Sequence, residues 1–258
     1  SWELLTDGNG IASTHFVRVV REDPALKGLL YAGTEFGMYV SFDDGKHWQS
    51  LQLNLPVTPI TDLTVYQNDL VVATQGRSFW ILDDLTPLNQ LSNEIANAQA
   101  YLFKPRDTYR MVMSSSRGYS GGYSAAENPP NGVMIFYYFA GEPEDEVIIE
   151  IMDEKGNIIQ NYSSEREKRE PRVVLWGRKF RGDRKVAKKD GMNRFVRDLR
   201  LSGADLIDGS VIRHDTIGPR VVPGAYKVKL KVDDWSQIQS FQILKDPRIE
   251  TTQAEFQD

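Results

Sequence analysis

The sequence predicts an all-β protein in two parts, the terminal blades of a β-propeller followed by a β-sandwich. Three observations predict it. Residues 12 to 84 contain an internal repeat with an offset of forty positions. From residue 132 onward come apolar runs with strand-like patterning, separated by turn signals. Between the two parts lies a stretch rich in Ser, Gly and Tyr that ends in Pro129-Pro130. The expected organisation is a partial propeller of about two blades plus a closing helix over 1–100, a linker over 101–130, and a sandwich over 131–258 with a charged insertion at 164–190.

In the repeat, Tyr31-Ala32-Gly33-Thr34-Glu35 aligns with Val71-Val72-Ala73-Thr74-Gln75, and residues 39–44 align with 79–84. Each unit reads as strand, turn, strand, preceded by a further strand at 16–20 or 60–65. Several short strands per period of about forty residues is the blade pattern, because each blade is one small antiparallel sheet. Two blades do not close a ring, and repeat units bury their apolar faces against neighbours, so the remaining blades are expected upstream. Trp2 reads as the end of a preceding blade. The chain opens without an initiator Met, a basic region or an apolar segment, so it reads as a fragment whose export signal lies upstream.

After Asp84 the spacing of Leu88, Leu91 and Ile95, with Pro87 in the first turn, predicts a short helix. A strand follows at 101–103. The sandwich strands are expected at 133–139, 147–152, 158–159, 191–199, 226–232 and 238–244, with turns at 153–157 and at Pro223-Gly224. Residues 165–190 carry eleven Lys or Arg against five Asp or Glu, which reads as a solvated, self-repelling linker, with a basic binding arm as the alternative.

Composition removes several function classes. A net charge of −5 opposes general binding to nucleic acid or anionic lipid. No apolar run approaches the roughly 20 residues of a membrane span. The absence of cysteine rules out disulfides, thiolate metal sites and cysteine nucleophiles. His15, His47 and His214 lack the spacing of a metal site, so neither a metal nor a cofactor is expected. The Gly-rich 117–123 has no Lys and no strand-to-helix setting for a phosphate loop, and reads as linker.

The run from Ser41 to Trp48 resembles the Asp-box, Ser-x-Asp-x-Gly-x-Thr-Trp, with His47 in place of Thr. Its four matching residues, Ser41, Asp43, Gly45 and Trp48, are expected to be structural. Asp43 accepts backbone hydrogen bonds, Gly45 supplies a positive φ, and Trp48 anchors the turn by packing. The second unit keeps Asp83-Asp84 but loses the Gly and the Trp. Neighbours along a strand point to opposite faces, so this pair suits a helix N-cap at Asp84 better than catalysis or Ca²⁺ binding. Arg77 stands on a Gly-containing turn between two strands expected to be buried, from which its guanidinium could reach the propeller axis and bind a carboxylate. Glu35 occupies the matching turn of the first unit. These two are the candidate catalytic residues. Tyr137, Trp176 and Trp235 are candidate sugar-stacking platforms.

Together with residues 30–35 and 75–84, the Asp-box resembles the last blades of the large bacterial exported BNR or Asp-box "glycosyl hydrolase" proteins, relatives of the sortilin-type propeller. Residues 151–157, 191–199 and 222–226 resemble segments of the flagellar hook-cap-like Ig domain those proteins carry, with Arg197 where they usually have Trp. The resemblance implies a periplasmic, cell-surface or secreted setting, and the remaining blades of the parent chain as partners. The leading functional expectation is a non-catalytic module that binds a glycan or a protein. The alternative is part of a sialidase-like glycoside hydrolase whose active site lies mainly in upstream blades. A sialidase site needs several converging arginines with Tyr, Glu and Asp, whereas this segment offers Arg77 alone.

Overall fold

Strands make up 44% of the chain and helices 4%, so the class is all-β, as expected. A computed structural model describes residues 4, 5, 8–111, 129–165, 185–201, 203 and 218–256. The chain divides into two compact units, Ser1–Leu91 and Ser92–Asp258.

In the first unit, short β-rich runs separated by Gly and Asp turns fold back on themselves. Strands β1 (Val17–Glu22), β2 (Leu30–Thr34), β3 (Met38–Ser41) and β4 (Gln49–Ser50) form one antiparallel sheet in chain order. Strands β5 (Ile60–Tyr66), β6 (Asp69–Thr74) and β7 (Phe79–Leu82) form a second. Both sheets bury alternate residues in one core, with Val19, Tyr31, Met38 and Val40 from the first meeting Ile60, Leu63, Leu70 and Val72 from the second. Each such aliphatic burial is worth about 1.5–3 kcal/mol.

The two sheets repeat the same local bonds. Thr34 N–H and Oγ1 donate to the Gly37 carbonyl at 2.9 and 3.0 Å, and Thr74 N–H and Oγ1 donate to the Ser78 carbonyl at 3.3 and 2.6 Å. Glu35 N–H donates to Phe16 O at 3.1 Å, and Gln75 N–H to Pro59 O at 2.9 Å. Both first hairpins carry a register shift at their start, between Val17 and Val19 and between Ile60 and Asp62.

Beyond β7 the expected single helix is two. Helix α1 (Thr86–Gln90) stops where Leu91 turns extended, and α2 (Asn93–Ala96) restarts with Ser92 Oγ accepting from Ile95 N–H at 3.3 Å. Asp84 is not the N-cap residue. Leu85 holds that place, and the Asp84 carboxylate accepts from Thr86 N–H at 3.1 Å.

The second unit holds two further sheets. Strands β8 (Ala100–Leu102), β10 (Val133–Phe139) and β13 (Gly191–Arg197) make one, in the order β13-β10-β8. Strands β9 (Thr108–Arg110), β11 (Val147–Asp153), β12 (Ile158–Ser163), β14 (Gly224–Val232) and β15 (Trp235–Lys245) make the other, in the order β12-β11-β14-β15-β9, with β9 parallel to β15. Their alternating inward residues share one core: Val133, Ile135, Tyr137 and Phe139 of β10 pack in the same cluster as Ile149, Val228, Leu230 and Phe241. The linker expected at 101–130 is corrected at its start, where β8 and β9 join opposite sheets. The edge of β8 is covered rather than open. Leu102 N–H donates to Gln237 Oε1 at 2.8 Å, and Gln239 Nε2 donates to Leu102 O at 3.1 Å.

Trp2, the Gly-rich 117–123, Trp176, His214 and most of the basic 165–190 segment lie outside the described residues. Among the described residues no helix is long and apolar enough to cross a membrane.

Candidate functional site

The turns that carry Glu35 and Arg77 lie at one end of the first unit, and strand direction explains why. Arg21 of β1 donates to Leu63 O at 3.0 Å and to Asp62 Oδ1 at 2.7 Å on β5, while Val19 and Ile60 meet around Gly33. Strands β1 and β5 therefore run in the same direction. The turn from Thr34 to Gly37 and the turn from Thr74 to Ser78 consequently close the two sheets at the same end.

Glu35 and Arg77 occupy these turns. The Glu35 carboxylate is already engaged: Arg18 Nε and Nη2 donate to its Oε1 at 2.8 and 2.5 Å. Both bonds fall on Oε1. Arg77 is exposed on a turn with positive φ at Gly76 and Ser78, and its carbonyl accepts from Trp80 Nε1 at 2.9 Å. Its guanidinium has no partner among the described residues. The expectation that two buried strands flank it is corrected. Strand β7 is a sheet edge with one face uncovered, and Phe79 and Ile81 are 74% and 59% exposed.

Two features of this end escaped the sequence reading. Phe16 and Phe36 are 71% and 47% exposed, and the His15 ring lies against Phe36 with centroids 4.5 Å apart. His15 Nδ1 is 2.8 Å from the Tyr39 hydroxyl. Arg18 is the other: its ion pair with Glu35 bridges β1 to the turn after β2.

The Asp-box run forms a closed polar turn. Ser41 Oγ donates to Asp43 Oδ1 at 2.9 Å and accepts from Gly45 N–H at 2.9 Å. Asp43 Oδ1 also accepts from His47 N–H at 2.8 Å, and Oδ2 sits 2.5 Å from His47 Nδ1. These His47 contacts, with Ser41 adding to them, hold the Asp43 carboxyl at about 2. Asp44 and Gly45 take φ of 61° and 83°. Trp48 is buried against Ile11 and Ala32, and its Nε1 donates to Leu5 O at 3.1 Å. The side-chain oxygens of Ser41 and Asp43 are committed to the turn.

Of the proposed sugar platforms, Tyr137 is corrected. It is 0% exposed, because it shares the inward parity of Val133, Ile135 and Phe139, and its hydroxyl donates to Ala187 O at 2.6 Å. Trp235 is half-buried against the core of the second unit. No group of three His, Asp or Glu able to hold a metal occurs among the described residues. Comparison with protein-family models and with curated proteins finds no match for the chain.

Proposed function

We propose that this chain is a non-catalytic interaction module of an exported Asp-box propeller protein, and that the end of its first unit around Phe16, Phe36 and Arg77 binds a glycan or a protein. The observation that carries the reading is the composition of that end. Two exposed rings, Phe16 and Phe36, share this end with the Arg77 guanidinium, which has no partner among the described residues, while the carboxylate of Glu35 is ion-paired with Arg18. Aromatic faces stack on apolar sugar faces or side chains, and a guanidinium fork supplies directional donors.

The architectural part of the proposal has two supports. The shared bonds of the Thr34 and Thr74 turns, with the closed Asp-box turn, favour reading the two sheets of the first unit as consecutive propeller blades. In the second unit, two sheets that share one core, β13-β10-β8 and β12-β11-β14-β15-β9, favour reading it as an immunoglobulin-like sandwich. Near the start of β14, Tyr226 donates its hydroxyl proton to Val222 O at 2.7 Å, the bond of a tyrosine corner.

The unpaired Arg77 favours the alternative of a sialidase-like hydrolase completed by other blades. A glycan array probed with the full chain, run beside a panel of fluorogenic glycosides, separates the two. Retention on the array that falls tenfold or more with Phe36→Ala, without fluorophore release, supports the module. Release that falls with Arg77→Ala overturns it.

A further inference from the structure

In a chain of net charge −5, four arginines of the second unit converge at one end of its sheets without forming an ion pair among the described residues. Arg110 ends β9, Arg197 ends β13, and Arg200 and Arg220 face each other across an antiparallel bridge just before β14 begins. Their contacts are to neutral groups: Arg110 lies over the Phe256 ring, 4.8 Å from its centroid, and Arg197 Nη2 is 3.5 Å from Gln160 Oε1. Arg197 donates to the carbonyls of Asp198 and Arg200, Arg200 to Gly218 O at 2.9 Å, and Arg220 to Met111 O at 2.8 Å, next to Arg110.

The side chains are thus held in place with no ion pair among the described residues. Arg197 is 1% exposed, and its Nε has no partner among the described residues; the buried Nε of Arg110 has none either. Burial, and after it the charge of Arg220, pulls Arg110 below the usual guanidinium range; burial does the same to Arg197. Asp198 influences Arg197 only at a distance and makes no ion pair with it. Uncompensated buried charge is costly, and a guanidinium fork fits a planar or tetrahedral oxyanion in bidentate fashion.

We propose that Arg110, Arg197, Arg200 and Arg220 form a binding site for an oxyanion, a carboxylate or a sulfate, supplied either as a free ion or as the acid group of a polysaccharide. The proposal rests on residues of the second unit alone and stands or falls independently of the reading of the first unit.

The test is thermal unfolding of the full chain in sodium sulfate against sodium chloride at matched ionic strength, with polygalacturonate binding measured by calorimetry. The expected result is a saturable rise in Tm of roughly 2–4 °C in sulfate alone. Arg110→Gln and Arg220→Gln, both at half-buried positions that leave the Arg197 packing intact, should each abolish it. Polygalacturonate binding at least tenfold tighter than sulfate assigns the anion to a polysaccharide, and sulfate binding without it assigns a free ion. Equal Tm in sulfate and chloride, or an undiminished sulfate response in the Arg110→Gln/Arg220→Gln double variant, overturns the proposal.

Discussion

Gly33 of β2 faces Ile60 of β5 so closely that a Cβ on Gly33 would lie 2.5 Å from Ile60 Cγ2 and 2.9 Å from Val19 Cγ1. Ile60 is fully buried and β-branched, so it has little freedom to move aside. The glycine therefore sets the spacing of the two sheets of the first unit.

Gly33→Ala should accordingly destabilise the first unit by about 1–3 kcal/mol through overpacking. Ile60→Ala alone should cost about 2–5 kcal/mol by leaving a cavity. Because the two sites share one contact, the double variant should cost less than the sum, and urea unfolding of the four proteins measures that coupling.

Acid should loosen the Asp-box turn. The Asp43 carboxyl is lowered from 3.8 to about 2 by its bonds to His47. A depressed folded-state value contributes stability that is present above 3.8 and is lost as pH falls toward 2. The carboxyl resonance of Asp43 should titrate near the lower value, and Asp43→Asn should remove this part of the acid dependence of unfolding.

Tyr226→Phe deletes only the hydroxyl that bonds Val222 O, at the start of the strand that pairs with both β11 and β15. The expected loss is about 1 kcal/mol, from one net hydrogen bond. Chemical denaturation should show it as a lower midpoint with an unchanged slope.

A fragment of residues 131–258 lacks β8 and β9, and so strips an edge from each sheet of the second unit. It leaves Gln237 and Gln239 without the Leu102 backbone they bond. A fragment of residues 92–258 should unfold cooperatively at a higher urea midpoint than the shorter one. Equal midpoints would show that β8 and β9 add nothing.

Much of this fold was legible in the sequence where local pattern decides it. Alternation of apolar residues placed β10, β11 and β14, and the forty-residue offset aligned Thr34 with Thr74, whose hydroxyls each donate to a carbonyl across their own turn. The parity of Val133, Ile135 and Phe139 already pointed Tyr137 inward, and reading its ring as a platform overlooked that. Strand β9 was missed because Thr108-Tyr109-Arg110 has no apolar pattern and owes its conformation to parallel pairing with β15, 135 residues away. The helix after Asp84 was expected as one piece because Leu88, Leu91 and Ile95 keep helical spacing, yet Ser92 starts a new helix as a cap. At the candidate site, Glu35 and Arg77 were found from the turns that carry them. Arg18, Phe16 and Phe36 were not, because an ion pair and the exposure of a ring depend on neighbours brought together by folding.

The most direct test of the proposed function is the full chain on a glycan array beside the fluorogenic glycoside panel, repeated with Phe36→Ala and Arg77→Ala. Retention that is lost with Phe36→Ala, with no fluorophore released by any variant, is the expected result. Turnover by the unaltered chain that drops with Arg77→Ala would contradict it and make the chain part of a hydrolase.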